Sequence, residues 1–224
     1  MLDQLRIGNK YSFDDFGASV ASRSIEAPSK KEIKETVPFS NVTYDFSAIN
    51  GELYWGERNL EYVFEIIADN PTDLEYKKSA FSNWIMNVMN EEIHDPHEPW
   101  FHYLGTFSDM KVADDESVEK STITVTFEAY PYKIANTETN FIFAIPAGES
   151  KMVNVYNESG HRIVPTVTVD NAVTIAKSGS EYVFAAGVSK DDIFTLPVGA
   201  SVLTITNGES TDCNVKFSFY REVF

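Results

Sequence analysis

Basic residues are scarce in this chain. Against 34 Asp and Glu there are 18 Lys and Arg over 224 residues, a formal net charge of −16. Affinity for phosphates rests on Lys and Arg neutralising them, so this balance argues against a specific nucleic-acid binder. Cysteine is scarcer still: the single Cys213 excludes an internal disulfide framework and fits folding in a reducing compartment. No apolar run approaches the ~20 residues that a membrane-spanning helix needs, and no basic segment followed by an apolar stretch opens the chain. The expectation is a protein neither exported by a signal peptide nor inserted into a membrane. The sequons Asn41-Val42-Thr43 and Asn157-Glu158-Ser159 accordingly read as chance. Signatures of catalysis are missing too. There is no Gly-rich phosphate loop, no Gly-x-Ser-x-Gly elbow and no Cys/His nucleophile arrangement. Carboxylate pairs suited to glycosidic chemistry can be drawn on paper, but 34 acidic residues make such pairs inevitable. The chain reads as a protein that is not an enzyme.

What is present is β pattern. With 43% hydrophobic and 23% charged residues the composition is that of a globular protein. From Arg58 onward Leu60, Tyr62, Phe64 and Ile66 alternate with Asn59, Glu61, Val63 and Glu65, the period of two of a sheet with one buried face. This strand closes a long excursion, Lys30 to Ile67, that reads as β structure folding back on itself with Asn50-Gly51 as its tight reversal. Trp100 to Phe107 and Ser121 to Tyr130 read as further strands, with Ile123, Val125, Phe127 and Ala129 on one face and an acidic turn at Asp114 to Glu119 between them. One helix interrupts the pattern. Asn70 can cap it, Pro71 fits the first helical position and Asp73 lies in the dipole-favoured first turn. Leu74, Lys77, Phe81, Trp84, Ile85 and Val88 then recur at helical spacing, with an end expected near Asn90.

Long strands with a single helix make residues 1–135 an α+β domain. Around Asn136-Thr137-Glu138-Thr139 the apolar pattern lapses, and a domain boundary is expected there. In residues 136–224 short strands alternate with turns: Phe141 to Ile145, Met152 to Tyr156, Thr166 to Val169, Val173 to Ala176, Tyr182 to Ala185, Ile193 to Leu196, Val202 to Thr206 and Cys213 to Tyr220. That spacing predicts a β-sandwich, and the whole chain is mainly β. Cys213 alternates with Val215, Phe217 and Phe219 and reads as a small buried hydrophobe. The acidity is concentrated in the first domain, with 12 basic and 24 acidic residues through Lys133 against 6 and 10 after it. The plainer reading of that excess is a solvated surface.

Three histidines, His94, His97 and His102, fall close together with Asp95 and Glu98 between them, ligand types that can hold Zn²⁺. No fourth ligand is evident, and Pro96 and Pro99 keep His94 and His97 from sharing a helix face. Residues Glu91 to Pro99 read as a polar loop, and no metal or cofactor is assigned.

An ordered set of short motifs carries a resemblance. Arg6-Ile7-Gly8-Asn9-Lys10, Ser12-Phe13-Asp14-Asp15-Phe16-Gly17, Ser22-Arg23-Ser24-Ile25 and Pro28 come first. Val37-Pro38-Phe39, Tyr44-Asp45-Phe46, Gly51-Glu52, Arg58-Asn59-Leu60-Glu61-Tyr62, Tyr103-Leu104-Gly105 and Ala129-Tyr130-Pro131-Tyr132 follow. In this order and approximate spacing the chain resembles the distal tail (Dit) proteins of siphophages and prophages of Gram-positive hosts. Its second domain resembles them more loosely, through Leu196-Pro197-Val198-Gly199 and the next strand. The resemblance implies an N-terminal split-barrel-like domain related to tail-tube subunits and a C-terminal galectin-like sandwich. It also implies a hexameric ring at the virion tail tip, assembled in the host cytoplasm, that joins the tail tube to tail-tip or baseplate proteins. Implied partners are copies of the chain itself, the tail-tube protein, a tail-associated fibre or lysin protein, and receptor-binding or baseplate proteins. DNA would pass through the ring without being specifically bound, and an acidic lumen would repel its phosphates.

Subunits of a closed ring meet through two different patches, and a β excursion crossing the boundary is one way to build them. Lys30, Lys31 and Lys34, basic residues in a domain of net charge −12, together with Pro38 and Phe39 are the expected subunit-interface residues. The competing reading is a carbohydrate-binding adhesin that recognises host cell-wall polysaccharide through the sandwich. Against it, Trp55, Trp84 and Trp100 all lie in the first domain. The second offers Tyr156, Tyr182 and Tyr220, and Tyr182 shares a strand face with Phe184, the usual sign of core.

Overall fold

A computed structural model describes residues 3–36, 38–48, 51–115 and 119–224. The chain is mainly β and divides into two compact units, Met1–Lys133 with Phe224, and Ile134–Val223.

The first unit runs β1 (Arg6–Ile7), β2 (Lys10–Tyr11), α1 (Ser12–Phe16), β3 (Ala18–Ile25), β4 (Lys34–Thr36), β5 (Thr43–Asp45), β6 (Arg58–Ile67), α2 (Pro71–Ile85), β7 (Glu91–His94), β8 (Phe101–Asp115) and β9 (Lys120–Ala129). An antiparallel sheet in the order β3-β6-β9-β8-β7-β1-β2 carries the core. Alternation decides its faces: Leu60, Tyr62, Phe64 and Ile66 on β6 and Ile123, Val125 and Phe127 on β9 are all fully buried. Bulges at Val20/Ser22 in β3 and Phe107/Asp109 in β8 shift the register and bend the strands.

The predicted helix is α2. The Asn70 side chain accepts from the Asp73 N–H at 2.9 Å, Pro71 opens the helix, and Leu74, Phe81 and Ile85 are buried. It ends at Ile85 rather than near Asn90: the chain tightens into i→i+3 bonds, Asn87 N–H to Trp84 O and Val88 N–H to Ile85 O, and re-enters the sheet at Glu91. Trp84 stacks on Phe16 with ring centroids 4.6 Å apart. Phe16 belongs to α1, a helix of barely more than one turn that the sequence reading left out. It is too short to show a helical period, and Gly17 in the left-handed region at φ +71° stops it.

The stretch Glu91 to Pro99, read as a polar loop, begins instead as strand β7, pairing with β8 on one side and β1 on the other. Its central Ile93 is fully buried between the more exposed Glu92 and His94. Of the expected acidic turn at Asp114 to Glu119, the central positions 116–118 lie outside the described residues.

The second unit contains β10 (Lys133–Ile145), β11 (Ser150–Asn157), β12 (Thr166–Val169), β13 (Val173–Lys177), β14 (Ser180–Phe184), β15 (Gly187–Lys190), β16 (Gly199–Asn207) and β17 (Cys213–Val223). Two four-stranded arrays, β15-β12-β17-β10 and β11-β16-β13-β14, enclose one core that includes Val155, Val167, Ile175, Phe194, Leu203, Val215 and Phe217. Cys213 is buried in it as expected. The stretch around Asn136, read as a lapse between domains, is the middle of the continuous strand β10. Ile193 to Leu196 is not a strand. Only Leu196 makes an isolated bridge, to Ile163, while Phe194 anchors the loop against Tyr182 and Phe184 at 5.1 and 5.3 Å. The unforeseen strand is β15, which shows its apolar Val188 to solvent and so gives no alternating signal.

Candidate assembly surface

Between β3 and β6 the chain leaves the core as an antiparallel arm. Gly56 N–H donates to Ser29 O at 2.7 Å, Lys31 N–H to Tyr54 O at 2.8 Å and Phe46 N–H to Ile33 O at 2.8 Å. Lys30 bridges Trp55, and β4 pairs with β5. The ribbon therefore reverses between Thr36 and Thr43, earlier than the predicted Asn50-Gly51. Asn50 lies outside the described residues, as does Val37 of the Val37-Pro38-Phe39 motif. Gly51 does take part in a turn, its N–H donating to Ala48 O at 2.8 Å with φ +78°.

Register sorts the arm into two faces. Lys34 sits opposite Asp45 and Glu35 opposite Tyr44, so the period of two places Ile33, Glu35, Tyr44 and Phe46 on one side and Glu32, Lys34 and Asp45 on the other. Tyr44 and Phe46 stack at 6.3 Å. Ile33, Val42, Tyr44, Phe46, Leu53 and Tyr54 are each 40–57% exposed, and Phe39 at the tip is fully exposed. Phe39 also has a φ of +64°, the left-handed region that costs a residue with a bulky side chain energy. The base of the arm is held by polar bonds. Ser47 is buried, its Oγ accepts from Ile33 N–H at 2.9 Å, and its own N–H donates to Asp45 Oδ1 at 2.9 Å.

The expected interface residues thus occupy one continuous arm, but in different roles. Pro38 and Phe39 form the tip, and Lys30 and Lys31 lie where the arm meets the rest of the unit. Lys34 uses its charge inside the arm, on Glu32 at 2.6 Å, and that hydrogen bond holds its pKa above the ordinary lysine value. The apolar face, to which the exposed-looking aromatics of the Lys30 to Ile67 excursion already pointed, is the larger feature. Its signal was the alternation Tyr44-Asp45-Phe46.

Close to β7 lies a buried polar knot. Asp95 accepts from Arg23 at 2.6 Å, from the Tyr62 hydroxyl at 3.1 Å and from His97 N–H at 2.9 Å. Burial works to raise its pKa, but the His97 N–H and Arg23 outweigh it and hold the carboxyl below its ordinary value. The expected histidine group is divided by this knot. His97 turns to Asp95 and Asp3, at 3.1 and 3.5 Å. His94 and His102 face each other with ring centroids 5.1 Å apart, and the third group beside them is Glu92. In the second unit a cleft of about 500 Å³ is lined by His161, Arg162, Lys190, Tyr220 and Glu222 among others. His161 and Glu222 are 2.7 Å apart.

No protein-family model matches the sequence, and no curated protein matches it. Solved structures do. The structure described as "SPP1 Dit (gp 19.1) Protein, a Paradigm of Hub Adsorption Apparatus in Gram-positive Infecting Phages" matches over 98% of this chain and 99% of its own, with a TM-score of 0.73 at 15% identity. The chain has the Dit fold. A chain of the phage P2 baseplate in its activated conformation with Ca shows a looser likeness, TM-score 0.46 at 9% identity, over 97% of this chain and 98% of that one. The Dit fold spans both units described above. Among the described residues no helix is long and apolar enough to cross a membrane.

Proposed function

We propose that this chain is a structural component of a phage tail, a distal tail hub whose copies form a hexameric ring between the tail tube and the tail-tip or baseplate proteins. The observation that carries the reading is the end-to-end match with the SPP1 Dit protein, 98% of one chain on 99% of the other, spanning both units rather than one. The tail-tube protein above and a fibre, lysin or receptor-binding protein below are the partners of such a hub. The arm is the subunit contact: it projects an apolar face that stays about half exposed, and a neighbouring copy in a ring supplies the cover.

Purified protein, alone and co-expressed with its tail partners, tests this by light scattering after size exclusion and by electron microscopy. Six-fold rings are the expected result. A folded protein that stays monomeric under both conditions, at concentrations where tails assemble, would sink the proposal. The adhesin reading gains little support. Tyr220 is half exposed at the sandwich cleft, but the other lining phenyl ring, Phe219, is buried and offers no second platform beside the charged Arg162, Lys190, Asp192 and Glu222.

A further inference from the structure

The two strands β7 and β8 bring together a ligand set that neither shows alone. Their register pairs Ile93 with Tyr103 and Glu92 with Leu104, so His94 falls opposite His102. Ile93 and Tyr103 are buried in the core, and alternation places Glu92, His94 and His102 together on the other face. His94 Nε2 is 3.1 Å from Glu92 Oε2, and His102 Nε2 is 3.9 Å from Glu92 Oε1. One ligand atom from each of the three residues lies within 4.8 Å of the others, the one such group of His, Cys, Asp and Glu among the described residues.

We infer that Glu92, His94 and His102 form a binding site for a divalent first-row transition-metal ion, with Zn²⁺ the ion of choice. Ligand atoms at about 2.0–2.2 Å from a tetrahedral zinc stand roughly 3.3–3.6 Å apart, and the two measured separations bracket that range. Small side-chain rotations close the remainder. Two imidazoles and one carboxylate suit zinc and its neighbours, whereas Mg²⁺ and Ca²⁺ call for all-oxygen shells. Three protein ligands leave a fourth position for water. Arg6, opposite His94 on β1, brings like charge and donates to Gly8 O at 3.3 Å. The Glu92 carboxylate offsets that repulsion, so its oxygen and the two imidazole nitrogens together supply the affinity. Bound there, the ion clips β7 to β8. Because β7 alone connects β1 and β2 to the rest of the sheet, the clip also fastens that edge.

The test is a titration of the metal-stripped full-length protein with Zn²⁺ and with Co²⁺, whose visible absorption reports nitrogen and oxygen coordination. The expected result is one equivalent bound per chain at micromolar Kd, with a melting temperature that rises in Zn²⁺ and falls back on chelation. His94→Ala and Glu92→Gln, both at partly or largely exposed positions, should each weaken binding by at least about tenfold and change the Co²⁺ spectrum, while His97→Ala leaves both unchanged. Circular dichroism of the metal-free variants serves as the folding control. His102 is buried, so its variant is not needed for the decision. Wild-type binding no tighter than about 1 mM overturns the inference. So does binding that survives His94→Ala and Glu92→Gln, is lost in His97→Ala, or is displaced by equimolar Ca²⁺.

Discussion

At the scale of single residues, Asp95 has the strongest claim on stability. Its carboxylate is buried and bonds to Arg23, Tyr62 and His97, which tie β3, β6 and the segment after β7 together. Removing it leaves the buried Tyr62 hydroxyl without this acceptor and leaves Arg23 the longer contact to Glu98 at 3.7 Å. Asp95→Ala should cost about 2–4 kcal/mol, read from the denaturant midpoint. Because the folded pKa is depressed, this contribution is present above the unfolded value of about 3.9 and is lost as the pH falls through the lower folded value. Asp95→Asn should flatten that acid limb, and an unchanged acid profile would count against the assignment. The sandwich has a different device. Asn157 and Asn207 are both buried, and each amide donates to loop carbonyls: His161 and Leu196 for the first, Ile145, Pro146 and Thr211 for the second. Asn207→Ala should therefore lower stability by about 1–3 kcal/mol, as expected when buried carbonyls lose their donor. The sequence marked Asn157 only as a sequon, and its burial supports the reading of that match as chance.

Elements were legible where one rule acted alone. Strands β6 and β9 alternate cleanly because one face meets the core, and α2 declares itself through Asn70, Pro71 and a stripe that ends in buried Ile85. Strand β7 was hidden because its alternation lasts only four residues before Pro96 and Pro99. With it went Glu92, whose place beside two histidines depends on pairing with β8, a contact that no local pattern encodes. The β4–β5 reversal was missed for a related reason: Asn-Gly is the stronger turn signal, but ribbon register follows the pairing of Ile33 with Phe46. Gly105 gives an element-scale test. A Cβ there would lie 2.7 Å from Ile93 Cδ1 and 3.6 Å from Ala129 Cβ, where β8 runs between β7 and β9. Ile93 can turn away, so Gly105→Ala should cost about 1–2 kcal/mol, and Gly105→Val more, by thermal or chemical unfolding. A neutral Gly105→Val would show that the strands are not packed this closely.

At the scale of the whole molecule, folding and assembly respond to different substitutions. On the proposed reading, Phe39→Asp should leave circular dichroism and the melting temperature near wild type while weakening the ring, because Phe39 is fully exposed in its own unit. A folded variant that assembles into tails as well as wild type would refute that role. High salt should weaken the ring only slightly, since Lys34 is already paired within the arm and the apolar face is insensitive to screening. Host-wall polysaccharide should bind no tighter than about millimolar, and micromolar binding abolished by Tyr220→Ala would restore the adhesin reading.

On the proposed reading, the backbone at Phe39 sets the interest of the monomer against that of the assembly. A large, fully exposed aromatic in the left-handed region costs the isolated chain energy that Gly would spare. Phe39→Gly should therefore melt no earlier than wild type, and somewhat later if the relief of strain exceeds the added chain entropy. A laboratory selection for heat resistance in the free chain would drift toward such tips, whereas, on the proposed reading, selection for assembled tails would hold the aromatic in place.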